Sequence, residues 1–80
     1  MNLSERDHNL IWHPFTQQQT AAPNIAITHG KGALLYDEHG NEYIDAVSSW
    51  WTNLFGHANP EIAEAVKKQL DTLEHVIFAG

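Results

Sequence analysis

Three groups of side chains in this 80-residue sequence could do chemistry: the histidines, the lysines and a cluster of aromatics. The histidines are His8, His13, His29, His39, His57 and His75. No two of them stand three or four residues apart, as a helical two-histidine zinc site requires, and no cysteine accompanies them. They read as surface or capping residues, and no metal is expected. A lysine that attacks a carbonyl needs its pKa lowered by desolvation or by a cationic neighbour. Lys67 and Lys68 fall on a helical pattern off its apolar stripe, and Lys31 falls in a turn, so none reads as a nucleophile. Gly30-Lys31-Gly32 lacks the longer frame of a phosphate-binding loop opening a helix, and a turn is the simpler reading.

The aromatics are more informative. Asp45 to His57, reading DAVSSWWTNLFGH, packs Trp50, Trp51 and Phe55 among small and polar residues. Indole is large and apolar with one hydrogen-bonding edge, so it fills a core or forms a pocket wall. Adjacent tryptophans on a strand face opposite sides, and on a helix they diverge by about 100°. Trp50 and Trp51 therefore do not line one wall equally. The residues leave open whether one is core and the other lines a site, or both are core. Phe15, after His13-Pro14, has the same two readings. Asp45 reads as a structural hydrogen-bonding acid at a strand end.

These residues need elements to hold them. Residues 1–24 read as a lead and loop. Ser4 is expected to cap a first turn, with Asp7 three residues on. Leu10, Ile11 and Trp12 form an apolar plug, Pro14 ends any helix by His13, and residues 16–24 form a loop. Residues 25–47 read as a three-stranded antiparallel meander. Its strands are 25–28, 33–36 and 42–47, with turns at His29–Gly32 and at Asp37–Asn41. Residues 48–58 are the aromatic stretch. Residues 59–80 read as an amphipathic helix over about 60–74 and an apolar tail. Asn59 is the N-cap and Pro60 the first helical position. Ile62, Ala65, Val66, Leu70 and Leu73 form one stripe. The fold class is α+β. Such a sheet needs a partner for its apolar face.

Composition bounds the rest. With 42% hydrophobic residues the chain is not disordered by composition. Its net charge of −6 and four basic residues leave too little positive charge to track phosphates, so nucleic-acid binding is not expected. No apolar run approaches the roughly 20 residues that span a membrane. The opening MNLSERDHNL lacks the apolar core of a secretory signal. The absence of cysteine permits a reducing cytoplasm. A chain this short buries only about 60% of its unfolded surface, and its apolar helix stripe and tail exceed what a three-stranded sheet covers. The expectation is a piece of something larger.

The motifs Ile11-Trp12-His13-Pro14-Phe15-Thr16-Gln17, Gly32-x-x-Leu35-x-Asp37-x-x-Gly40, Tyr43-x-Asp45, Ser48-Ser49-Trp50-Trp51-x-Asn53, Gly56-His57-x-x-Pro60 and Leu73-Glu74-His75-Val76-x-Phe78-x-Gly80 follow one another in order. Together, from about residue 8 to residue 80, they resemble the N-terminus of the class III aminotransferases. Among these they resemble the adenosylmethionine-8-amino-7-oxononanoate aminotransferases of biotin synthesis. The strand–turn–strand and Gly-His-x-x-Pro elements are common to the class, whereas WHPFTQ and SSWW point to this member.

The resemblance implies an N-terminal fragment of a fold type I, homodimeric, cytoplasmic transaminase dependent on pyridoxal 5′-phosphate. The cofactor lysine, the phosphate-binding residues and the substrate-facing arginine lie downstream in the family, so no catalytic or cofactor residue is expected here. By position Trp50 matches a substrate-wall residue for 8-amino-7-oxononanoate. Phe15 falls where many members carry a tyrosine, so only its wall contact carries over. S-adenosylmethionine is the usual amino donor, and some members use lysine. Two other readings stand beside this one: another class III ω-amino acid aminotransferase, and a non-enzymatic module using Trp50 or Trp51 as a stacking platform.

Overall fold

A computed structural model describes residues 2–80. Along the chain it contains α1 (Leu3–Leu10), β1 (Ile27–Lys31), β2 (Leu34–Asp37), β3 (Glu42–Ile44), a single helical turn α2 (Ser48–Trp51) and α3 (Pro60–Leu70). The expected α+β class and three-stranded antiparallel meander are observed, with strand order β1-β2-β3.

The cap of α1 differs from expectation. Asn2, not Ser4, is the N-cap, and its side chain accepts from Glu5 N–H while the Glu5 carboxylate accepts from Asn2 N–H. Asn2 and Glu5 form the reciprocal capping box, whereas Asp7 is engaged with His13 at 2.8 Å. Ser4 serves another contact: its hydroxyl donates to the Asn24 carbonyl, and its N–H, with that of Leu3, donates to the Glu38 carboxylate. The turn between β2 and β3 thus supplies acceptors for the open N-terminus of α1. The helix ends at Leu10, before Pro14, as expected.

The first hairpin is shifted from the sequence reading. His29, Gly30 and Lys31 belong to β1, paired with Tyr36, Leu35 and Leu34. The turn is therefore tighter than expected, only Gly32 and Ala33, and Gly32 takes a φ of 59°. Position 30 of this strand takes a glycine because a Cβ there would stand 3.0 Å from the His57 Cβ and the Leu34 carbonyl. At the second turn Asp37 behaves as its position predicts. Its carboxylate accepts from the His39 and Asn41 N–H groups, the Asn41 amide and the Tyr43 hydroxyl, at 2.8–2.9 Å. Gly40 closes this turn at a φ of 83°. β3 stops at Ile44 rather than Val47, because Asp45 and the residues after it turn away into α2.

α3 begins where Asn59 and Pro60 predict: Asn59 Oδ1 accepts from the Glu61 and Ile62 N–H groups. It ends at Leu70, short of the expected 74, because the Gln69 carbonyl takes both the Thr72 and Leu73 N–H groups and tightens the exit. Among the described residues no apolar side chain is buried, and Asp37 is the one buried polar residue. The plug residues Leu10 and Trp12 are exposed, as is the stripe of α3 at Ile62, Val66 and Leu70. Covering each long aliphatic of that stripe would be worth about 1.5–3 kcal/mol.

Candidate functional site

The strand end at Asp45 and the glycine turn at Gly56 set the geometry of the aromatic stretch. Both ends are tied to the same hairpin turn. Asp45 N–H donates to the Ala33 carbonyl at 2.8 Å. Gly32 and His57 exchange two backbone hydrogen bonds, His57 N–H to the Gly32 carbonyl at 2.8 Å and Gly32 N–H to the His57 carbonyl at 3.2 Å. Gly56, at a φ of 86°, lets the two backbones approach, since a Cβ there would stand 3.0 Å from Gly32 Cα.

Between these anchors α2 winds the unusual way. Ser48, Ser49, Trp50 and Trp51 all have positive φ, from 48° to 72°, and Ser49 and Trp50 sit squarely in the left-handed helical region. Each such residue with a Cβ costs about 1–2 kcal/mol. The turn closes on itself through Trp51 N–H to the Val47 carbonyl and Thr52 N–H to the Ser48 carbonyl, both 2.9 Å. Asp45 then clamps it. Its Oδ1 accepts from Ser49 N–H at 2.9 Å, and its Oδ2 accepts from the Ser49 hydroxyl at 2.8 Å.

His57 holds the clamp in place. Its Nε2–H donates to Asp45 Oδ2 at 2.7 Å, and its Nδ1 stands 2.9 Å from the Asn53 amide nitrogen, which donates to it. A carboxylate on one nitrogen and an amide donor on the other fix the neutral Nε2–H tautomer for this arrangement. The two side chains are shielded, His57 at 15% exposure and Asp45 at 6%. The Ser49 N–H bond first, then the Ser49 hydroxyl and His57, hold the Asp45 carboxyl below the usual carboxylate range against the desolvation that raises it. A serine, an aspartate and a histidine meet here, but Ser49 donates to the aspartate rather than to the imidazole. No base takes its proton, and the cluster is no nucleophile.

The sequence reading of Asp45 as a structural hydrogen-bonding acid at a strand end agrees with this. Its partnership with His57 has no local sequence signal beyond the way the two bracket the aromatic stretch, with Ser49 four residues after Asp45. Trp50 and Trp51 are 72% and 88% exposed, so neither indole is core in this chain. Trp51, with Val47 and Leu54, lines an open groove beside α2. Phe15 is 98% exposed and likewise takes a left-handed φ, 56°. The rings of Phe15 and Trp50 do not stack on each other. Lys31, Lys67 and Lys68 are all exposed. Among the described residues no cluster of three or more histidine and carboxylate side chains could hold a metal ion, and no helix is long and apolar enough to cross a membrane.

The model of the class-III aminotransferases matches residues 15–80. The chain belongs to that family. Within it, the chain is 46% identical to the adenosylmethionine-8-amino-7-oxononanoate aminotransferase of Helicobacter pylori over 99% of its own length and 19% of that protein's. It is 51% identical to the Synechococcus elongatus enzyme of the same name over 91% of this chain and 17% of the relative. Its backbone superposes on the crystal structure of the Methanocaldococcus jannaschii enzyme of that name with a TM-score of 0.82 at 46% identity, covering 98% of this chain and 18% of that one. The omega transaminase from Pseudomonas jessenii, solved in complex with PMP, gives a TM-score of 0.83 at 28% identity, covering 99% and 18%. The chain therefore spans less than a fifth of the length of these aminotransferases.

Proposed function

We propose that this chain is the N-terminal part of a pyridoxal-phosphate-dependent transaminase that converts 8-amino-7-oxononanoate to 7,8-diaminononanoate in biotin synthesis, with S-adenosylmethionine as amino donor. The observation that carries the substrate reading is a contrast. Backbone likeness to the M. jannaschii enzyme and to the P. jessenii omega transaminase is equal, with TM-scores of 0.82 and 0.83, while identity falls from 46% to 28%. Fold alone therefore does not separate the two activities, and the higher identity favours the first.

Pyridoxal phosphate supplies the electron sink for amino transfer when bound. The residues here do not fit it as a binding site: every lysine is exposed, and Gly32 and Gly40 open turns between strands rather than cradle a phosphate at a helix. The cofactor's lysine and phosphate contacts belong to the remainder of the transaminase. What this chain contributes is apolar surface. Trp50 and Phe15, both exposed and both carried on left-handed backbone, are suited to wall a long aliphatic substrate and keep water from it. The uncovered stripe of α3 and the tail residues Val76, Ile77 and Phe78 suit packing against the same remainder, in a homodimeric, cytoplasmic enzyme.

The test is turnover by the full-length protein. Amination of 8-amino-7-oxononanoate with S-adenosylmethionine, and a weaker rate or none with lysine, is the expected result. Activity confined to an unrelated ω-amine would overturn the substrate assignment and leave the second reading, a general class III ω-transaminase.

A further inference from the structure

Four consecutive non-glycine residues in left-handed backbone do not hold that shape by preference. Strain of this kind persists where surrounding contacts over-determine it, and it collects at sites where a side chain must be aimed. Here the contacts are specific. Asp45 takes both hydrogen bonds that Ser49 can give, from its N–H and its hydroxyl, one residue before Trp50. His57 fixes the Asp45 carboxylate from twelve residues away, Asn53 fixes the far side of the imidazole, and the His57 backbone is bridged to Gly32. The backbone that carries Trp50 is thus tied, through Ser49, to a shielded carboxylate.

We propose that Asp45, clamped by His57, is a positioning residue for the substrate wall: it latches α2 in its left-handed turn and so fixes where the Trp50 indole stands. This rests on the transaminase reading above, in which Trp50 faces the substrate. Without the latch the turn relaxes toward ordinary right-handed or extended backbone, and the indole leaves the wall.

A double-mutant cycle on the full-length holoenzyme tests this, with 8-amino-7-oxononanoate as acceptor. Asp45→Ala and Trp50→Ala are each expected to raise KM about tenfold, within the range for a spoiled apolar pocket. The double variant is expected to be no worse than the poorer single variant, since a latch with no indole to aim has nothing left to lose. Asp45→Asn keeps an oxygen for Ser49 N–H but turns an amide donor toward the His57 Nε2–H, and is expected to raise KM to a value between wild type and Asp45→Ala. Effects of D45A and W50A that multiply, or a D45A enzyme with unchanged KM, would overturn the latch. If D45A gives no holoenzyme by its bound-cofactor absorbance, Ser49→Ala carries the same cycle, because it removes one clamp bond and no backbone group. A wild-type enzyme active only on another ω-amino substrate would sink the substrate reading alone. The cycle is then run with that enzyme's own acceptor, and coupling or its absence still decides the latch.

Discussion

Gly56→Ala is the change that most directly tests how the aromatic stretch is anchored. A Cβ at Gly56 meets Gly32 Cα at 3.0 Å and the Gly32 carbonyl carbon and oxygen at 3.4 Å. These are backbone atoms, so no side chain can rotate away and the two chains must part. Parting them strains or breaks the two hydrogen bonds between Gly32 and His57, each worth about 0.5–1.5 kcal/mol net. The φ of 86° adds the left-handed penalty of about 1–2 kcal/mol. Together the local cost is roughly 2–5 kcal/mol, which at about 1.4 kcal/mol per factor of ten is a thirtyfold or greater loss of protection.

Amide hydrogen exchange on the full-length protein reads this where it happens, at His57 N–H, whose acceptor is the Gly32 carbonyl. Gly40→Ala is the matched control. It carries nearly the same φ, 83°, but a Cβ there meets nothing within 4 Å, and it lies on the other turn of the meander. G40A is expected to leave His57 exchange unchanged while G56A accelerates it at least thirtyfold. Equal exchange at His57 in the two variants would refute the close-approach argument and with it the anchoring of the latch to the first hairpin.

Asp37 has its carboxyl lowered to about 2, by the Asn41 amide first and then by the Asn41, Tyr43 and His39 donors, against desolvation. Its folded value is below the unfolded 3.8, so its stabilising contribution is complete above pH 3.8 and is lost as pH falls toward 2. Carboxyl NMR shifts should titrate with a midpoint near 2, and Asp37→Asn should remove that titration; a midpoint at the ordinary carboxylate value would refute the role given to the four donors. The isolated 80-residue chain, with no buried apolar side chain among those described, should bind a hydrophobic dye and melt without a cooperative transition. Pyridoxal phosphate should add to its lysines only weakly and without selecting one of them. A sharp transition, or one defined lysine adduct by peptide mapping, would contradict the reading that its apolar faces and cofactor site are completed elsewhere.

The parts legible in the sequence are those where local chemistry decides the backbone. Asn59-Pro60 starts α3 because an amide oxygen and a pre-set φ satisfy the first turn with no help from outside. The Asp37–Asn41 turn is likewise local, all its donors lying within six residues of the carboxylate. Boundaries set by partners further along differ from the sequence expectation. Gly30-Lys31-Gly32 has turn composition, yet the first two are strand, because Leu34 and Leu35 pair with them and His57 leaves room only for a glycine. At the N-terminus Asn2 takes the cap expected of Ser4, and Ser4 instead meets Asn24 and Glu38, contacts twenty and thirty-four residues away.

The candidate site shows the same division more sharply. Residue types left Trp50 and Phe15 open between core and pocket wall, and the wall reading rests on the family resemblance; neither serine nor tryptophan favours left-handed backbone, so no propensity scale announces the conformation of α2. That conformation follows from Asp45, and Asp45 is fixed by a histidine twelve residues on that packs against the first hairpin at Gly30 and Gly32. The glycines at 32 and 56, the aspartate and the histidine are therefore one device, spread over three separated motifs of the sequence. Its purpose is visible only at the aromatic pair it displays. A search that weighed each residue for its own chemistry would pass over Asp45 and His57, since neither is placed to react; their function is to hold another side chain in a shape it would not otherwise keep.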